Sequence, residues 1–167
     1  MKIVGIDPGF SGALAVLDGG EVVAVEDLPV QYVKNTSGKL RGEYVESRLV
    51  QLIDLHRISH VFLEKQGSMP DQSAQSTFST GFGFGLIRGV LSALRIPYEL
   101  VHPVTWKKAM LEGLGRNKSH SLAKARALFP TADLGRRKDA GRAEALLIAC
   151  YGRRLLNGGL TKVPAQV

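Results

Sequence analysis

Residues 3–12, Ile3-Val4-Gly5-Ile6-Asp7-Pro8-Gly9-Phe10-Ser11-Gly12, place a carboxylate at the end of an apolar strand and follow it at once with a glycine-rich turn. A strand this apolar belongs in the middle of a sheet. An acid at a buried strand end is costly unless it is paired, folded onto its own turn or bound to a cation. Two explanations of Asp7 follow: it caps the turn through its backbone, as aspartate often does, or it carries chemistry.

The rest of the chain supplies a sheet for this strand. Segments 13–18 and 21–28 alternate as strands, and Asp18-Gly19-Gly20 between them suits a tight hairpin, so the chain opens as an antiparallel meander. Residues 29–42 lack an apolar period, mix Gly, Ser and Asn with Lys34, Lys39 and Arg41, and read as a mobile loop. Helical spacing over 43–57 passes into a strand at 59–64, as in a βαβ unit. Residues 71–95 carry Phe78, Phe82, Leu86, Val90 and Leu94 at intervals of four, which predicts a helix despite Gly81, Gly83, Gly85 and Gly89. Each internal glycine costs about 0.5–1 kcal/mol against alanine, and close approach of another helix would explain them. A last strand is expected at 98–101, then helices opened by Pro103, capped by Asn117 and stopped by Pro130, and finally spanning 139–157. The expected order is βββαβαβααα, in a single domain over 1–167 with a flexible tail from 159.

Composition narrows the functional classes. The net charge of +7 is unevenly placed: residues 1–102 hold 9 basic and 11 acidic side chains, whereas 103–167 hold 13 and 4. A polyanion-facing surface is therefore expected in the C-terminal part. The lone Cys150 allows neither an intramolecular disulfide nor a cysteine-rich zinc site. No apolar run approaches the roughly 20 residues of a bilayer span. Met1 leads straight into the first strand without a signal or transit pattern, so a cytoplasmic location is expected.

Two further acids stand where an acid is costly. Glu64 ends the run Val61-Phe62-Leu63 as Asp7 ends its own, and adjacent parallel strands would bring the two together; the alternative is a solvent-facing strand end. Unscreened, the pair would raise each other's pKa, whereas a hard divalent cation takes oxygen ligands and relieves the repulsion. Glu144 lies in the apolar run Ala143-Glu144-Ala145-Leu146-Leu147-Ile148-Ala149. Asp139, five residues earlier, also has a simple helix-start explanation worth under about 1 kcal/mol.

These blocks together resemble the RuvC-like Holliday junction resolvases, in particular their compact phage-type and organellar-type branch. The resemblance spans about residues 2–154. It rests on Ile6-Asp7-Pro8-Gly9 with Gly12-Ala13, Leu63-Glu64, Gln75-Ser76-Thr77-Phe78 with Gly81 and Gly85-Leu86-Ile87-Arg88-Gly89, Pro103 with Thr105-Trp106-Lys107, Asn117-Lys118 with Ser121 and Leu128-Phe129-Pro130, and Asp139 with Arg142-Ala143-Glu144. It implies an α/β RNase H-like fold: a five-stranded mixed sheet, three antiparallel strands then two parallel, flanked by helices. It implies that Asp7, Glu64, Asp139 and Glu144 meet at the strand ends and hold two Mg²⁺, with Mn²⁺ able to substitute, for in-line phosphodiester hydrolysis. It implies a homodimer acting on branched DNA through paired symmetric nicks, with no nucleotide cofactor and no membrane. Lys107 and Lys118 match lysines beside the scissile phosphate in this family; the alternative for each is a solvated side chain.

DNA contacts are expected from Lys34, Lys39, Arg41, Lys107, Lys118, Arg136, Arg137, Lys138 and Arg142. The dimer seam is expected along Phe78, Phe82, Gly85 and Gly89, against the alternative of a helix buried within one subunit. Trp106 reads as a core anchor, and Phe78 and Met69 are candidates for an apolar wedge at the junction centre. The branch pattern often has histidine after the aspartate, where this chain has Ala140. That departure keeps open a branched-DNA-binding module with weak or lost cleavage. RNA or hybrid cleavage is a further alternative within the superfamily. An actin-like or sugar-kinase-like phosphotransferase shares the opening turn but needs two such lobes, and 167 residues supply one.

Overall fold

The computed structural model describes residues 1–159 apart from Asn35, Met69 and Arg116. The tail beyond Gly159 and the wedge candidate Met69 lie outside these residues. Strands β1 (Lys2–Asp7), β2 (Ala13–Asp18) and β3 (Glu21–Asp27) form the expected meander. Gly19 and Gly20 both have positive φ, 60° and 107°, which lets two residues reverse the chain between β2 and β3.

Residues 29–42, expected to be a mobile loop, are instead mostly a second small sheet. Strands β4 (Val30–Lys34) and β5 (Leu40–Tyr44) pair antiparallel, and Thr36, Ser37 and Gly38 lie in the turn between them. The reason is physical: half of this ribbon's residues are exposed, the apolar Tyr32 and Leu40 among them, so no apolar alternation marks it in sequence. The helix expected from residue 43 accordingly starts later, as α1 (Glu46–Leu55), because residues 43 and 44 belong to β5.

The remaining elements follow the expected order: β6 (His60–Glu64), α2 (Ala74–Ala93), β7 (Tyr98–Val101), α3 (Pro103–Met110), α4 (Lys118–Leu128) and α5 (Ala140–Leu156). Asn117 caps α4 by accepting from the His120 amide at 3.0 Å. The main sheet has the order β3-β2-β1-β6-β7; β1 pairs parallel with β6, and β6 with β7. The element order is thus βββββαβαβααα.

Alternation along β1 and β2 sends side chains to two cores. Ile3, Ala13, Ala15, Leu17 and Phe62 pack with α3, α4 and α5, while Val4, Ile6, Leu14, Val16 and Leu63 pack with α1 and α2. Helix α5 lies directly on β1. A Cβ at Gly5 would collide with the Ala145 carbonyl and the Ala149 amide, and one at Gly141 with the Ser11 carbonyl. Glycine at these two positions therefore sets the height of α5, and with it Glu144, above the Asp7 turn. Among the described residues no helix is long and apolar enough to cross a membrane.

Candidate active site

Parallel pairing of Ile6 with Leu63 leaves Asp7 and Glu64 at neighbouring strand ends. Asp7 accepts the Gly9 amide on Oδ1 at 3.3 Å, so it does cap its own turn. That bond is not enough to hold it charged. Burial, then the charges of Glu64 and Glu144, push its carboxyl up to about 7, against the opposing pull of the Gly9 N–H and Lys118. Asp7 is therefore a turn cap and one corner of a crowded acidic site at once.

Glu64 is buried and held by two donors: Trp106 Nε1 at 2.9 Å on Oε1 and Gln66 Nε2 at 3.0 Å on Oε2. Burial raises its pKa and Glu144 adds to the rise, while Trp106, Lys107 and Gln66 oppose it. Glu144 reaches the same region from α5. Its Oε1 pairs with Lys107 Nζ at 2.8 Å and accepts from the buried Ser121 hydroxyl at 3.1 Å. Lys107 also lies 5.1 Å from the centre of the Trp106 ring, a cation–π contact that fixes its approach.

Asp139 is placed differently. It is buried, yet its carboxylate is taken by Arg136, through the backbone amide and through Nε, both at 2.6 Å. Arg136 also meets Asp27 at 2.8 Å, and Arg142 bridges Asp27 at 2.7 Å and Asp133. The two guanidinium groups hold the Asp27 carboxyl down at about 2. Asp139 is the N-cap of α5, just outside its helical run, so its direction is set by the Arg136 contacts and not by the helix periodicity that places Glu144.

The structure thus brings Asp7, Glu64, Glu144, Lys107 and Lys118 into one electrostatic neighbourhood and commits Asp139 to the arginines. Among the described residues no three His, Cys, Asp or Glu side chains converge as a ready-made metal cage. The donor chemistry nevertheless fits a hard divalent cation. The groups are carboxylate oxygens, those of Glu64 and Glu144 buried, and close enough that both acids raise the pKa of Asp7 and Glu144 raises that of Glu64.

The basic candidates separate as well. Lys34 and Lys39 are exposed on the β4–β5 ribbon, and half-buried Arg41 donates to Ser79 Oγ at 3.2 Å. Arg137 and Lys138 face solvent, whereas Arg136 and Arg142 are turned to carboxylates. Phe78 and Phe82 are 67% and 52% exposed and stack with ring centres 6.3 Å apart, which removes the alternative of burial within the subunit. A Cβ at Gly81, Gly85 or Gly89 would meet open space, so this stripe of α2 is unoccupied by its own chain.

Sequence reasoning missed four contributors. Trp106 is a core anchor that also donates to Glu64; Ser121 entered only as part of a family block, without a role, and Gln66 and Asp27 were not singled out. Gln66 carried a signal, lying two residues after Glu64, where an extended chain returns to the same face. Asp27 had none, and nothing in the sequence tied Ser121 to Glu144, because the partners are distant along the chain.

The sheet order, the meander followed by two parallel strands and the helices on both faces define an RNase H-like fold. Among solved structures, the chain is similar to Thermus thermophilus RuvC in complex with a Holliday junction substrate, with TM-score 0.64 and 18% identity over 95% of this chain and 96% of that one. It is also similar to a second Thermus thermophilus RuvC structure, with TM-score 0.59, 21% identity and coverage of 95% and 97%. The yeast mitochondrial Holliday junction resolvase Ydc2 aligns with TM-score 0.51 and 11% identity over 90% of this chain and 77% of that one. The fold is thus RNase H-like, of the RuvC type. Neither a protein-family model nor a curated protein matches the sequence.

Proposed function

We propose that this chain is a divalent-metal-dependent endodeoxyribonuclease that resolves four-way DNA junctions by paired symmetric nicks. The observation that carries the reading is the crowding of Glu144, from α5, with Asp7 and Glu64 at the ends of parallel strands, in the fold of RuvC solved with a Holliday junction substrate and of a protein named as a Holliday junction resolvase. Asp7, Glu64 and Glu144 would hold the metal, with Asp139 joining them once Arg136 lets go. Bound there, Mg²⁺ or Mn²⁺ supplies activation of the attacking water and stabilisation of the leaving oxygen.

The chain's own residues do the rest. Trp106 and Gln66 fix the Glu64 carboxylate in orientation, and Ser121 does so for Glu144. Lys107, already at Glu144, offers an ammonium that can turn to a phosphate oxygen as negative charge develops there. Lys118, exposed and felt electrostatically by Asp7, lies near enough to contribute to the same end. Lys34, Lys39, Arg137 and Lys138 supply exposed charge for phosphates along the arms.

A symmetric substrate needs two active sites, and the exposed Phe78–Phe82 stripe with its glycines suits pairing of two copies about a twofold axis. Phe82→Glu should convert a dimer to monomer in sedimentation at micromolar concentration; an unchanged dimer would place the seam elsewhere.

One assay tests the main reading. Labelled four-way junction, linear duplex and RNA–DNA hybrid are each incubated with Mg²⁺, Mn²⁺ or EDTA. Metal-dependent paired nicks near the crossover are expected on the junction alone. Tight junction binding without nicks in either metal would favour the binding-module reading, which the engagement of Asp139 by Arg136 and the presence of Ala140 support. Cleavage confined to the hybrid would overturn the substrate.

A further inference from the structure

Asp139 is the one expected metal ligand that the fold withholds, and the residue that withholds it can be reached from solvent. The Asp139 carboxylate has no exposed side-chain surface, whereas the Arg136 side chain paired with it is 37% exposed. We propose that Arg136 is a positioning residue that holds Asp139 out of the metal site in the free protein and releases it when a DNA phosphate takes the guanidinium. The inference rests on the junction-nuclease reading and deepens it.

The place of Asp139 suits a ligand held in reserve. Gly141, two residues on, packs on the Ser11–Gly12 backbone, and a Cβ there would collide with it. That backbone belongs to the turn opened by Asp7, and Glu144 follows one helical turn after Gly141. Asp139 therefore stands at the rim of the acidic site. An aspartate at an N-cap ordinarily accepts a first-turn amide, yet this one makes no capping bond. Its carboxylate is turned back to the preceding loop instead.

The pairing is one that a phosphate can contest. Arg136 donates its backbone amide to Asp139 Oδ2 and its Nε to Oδ1, both at 2.6 Å, and its other arm reaches Asp27 at 2.8 Å. Asp27 is 45% exposed, so water screens that second pairing. A phosphodiester offers the same fork another pair of charged oxygens, and guanidinium binds phosphate as it binds carboxylate. The loop is open to it: Gly135, Arg137 and Lys138 are exposed, and a Cβ at Gly135 would meet open space. Arg137 and Lys138 draw a phosphate to this loop.

Release strands neither acid. Asp27 keeps Arg142 at 2.7 Å, and Asp139 keeps the Arg136 amide on Oδ2 and a long contact of 3.8 Å from Arg142 on Oδ1. With the Arg136 Nε gone, Oδ1 is left to a hard cation. Metal affinity should therefore rise when DNA binds, and DNA affinity should rise by the same factor when metal binds. A scissile phosphate adds a metal ligand of its own, so variants of Arg136, and not the coupling in the wild type, carry the test.

The test uses the full-length protein. Mn²⁺ affinity is measured by calorimetry without DNA, and four-way junction affinity by fluorescence anisotropy in EDTA and in Ca²⁺. Arg136→Gln and Arg136→Met should each tighten Mn²⁺ binding to the DNA-free protein by about fivefold or more, and should shrink the gain in junction affinity that Ca²⁺ brings by a similar factor. Arg136→Lys, which keeps the charge, should stay nearer the wild type. Adding Asp139→Asn should cancel the tighter Mn²⁺ binding, whereas a gain due only to lost positive charge would survive it. Thermal melts of all variants control for folding. Mn²⁺ binding no tighter than wild type in a folded neutral variant, or a gain that persists with Asp139→Asn, would overturn the release of Asp139 and leave the nuclease reading standing. A wild type that neither binds nor nicks any junction in Mg²⁺ or Mn²⁺ would overturn both.

Discussion

Two clusters of three acids and two bases lie within this chain, and they reach opposite electrostatic outcomes. Asp7, Glu64 and Glu144 face Lys107 and Lys118; Asp27, Asp133 and Asp139 face Arg136 and Arg142. In the first, the Asp7 carboxyl rises to about 7; in the second, that of Asp27 falls to about 2. The residue count is the same, so contact and burial decide. Arg136 engages two carboxylates and Arg142 three, whereas Lys107 pairs with one and Lys118 acts on Asp7 through its charge. The compensated cluster fastens the start of α5; the undercompensated one leaves the Asp7 carboxyl raised, as the proposed metal site requires.

The largest effect should come from removing the first cluster's function. Asp7→Asn is expected to lower metal-dependent nicking by a factor on the order of 10² to 10³ or more, while junction binding in EDTA persists. Loss of binding together with cleavage would mean that Asp7 is a structural acid, and the contrast between the clusters would lose its functional meaning.

Next in size is the pH dependence of metal-free stability, where the clusters have opposite signs. A folded Asp7 that titrates near 7, against 3.8 when unfolded, binds more protons in the native state between those values. Its contribution is full below about pH 4 and is lost as pH rises through 7, at up to about 1.4 kcal/mol per pH unit. Chemical denaturation from pH 4 to 8 should show this decline, millimolar Mg²⁺ should reverse it, and Asp7→Asn should flatten it. Asp27 works the other way: its contribution is present above about pH 4 and fades as pH falls toward 2.

Trp106→Phe keeps most of the ring and removes the donor to Glu64. A stability loss of about 1–2 kcal/mol is expected near neutral pH, together with weaker Mn²⁺ binding in calorimetry. Smallest is Asp27→Asn, since this half-exposed acid pairs at the surface. A change under about 1 kcal/mol is expected, vanishing in high salt. A larger effect there would show that the arginine cluster bears more of the fold than its exposure suggests.

The contrast also marks what was legible in the sequence. Asp7 and Glu64 were readable because each ends an apolar run, where burial makes a charge conspicuous, and the Asp18-Gly19-Gly20 turn was readable from backbone demands alone. Glu144 stood out for the same reason as Asp7. The divergence of Asp139 from it was hidden, since a shared motif says nothing of what competes for a carboxylate, and Asp27 comes from more than a hundred residues away to join Arg136 and Arg142. The β4–β5 ribbon was illegible because only its Val30, Gly42 and Tyr44 end packs on the core, while Tyr32 and Leu40 stay exposed, so burial follows no apolar rhythm. Trp106 was seen only as bulk, its indole N–H being invisible until Glu64 stood beside it.

The glycine at position 5 has a consequence outside the site it underlies. Gly5 carries no side chain, yet it decides how deep α5 can seat, and α5 delivers Glu144. A single methyl there would move a carboxylate without altering any polar group, so a folded Gly5→Ala protein should behave as a chemical lesion rather than a folding one. The mutational footprint of this active site therefore runs through the interior of the sheet, and a map of inactivating substitutions would trace the back of β1 as clearly as the acids at its end.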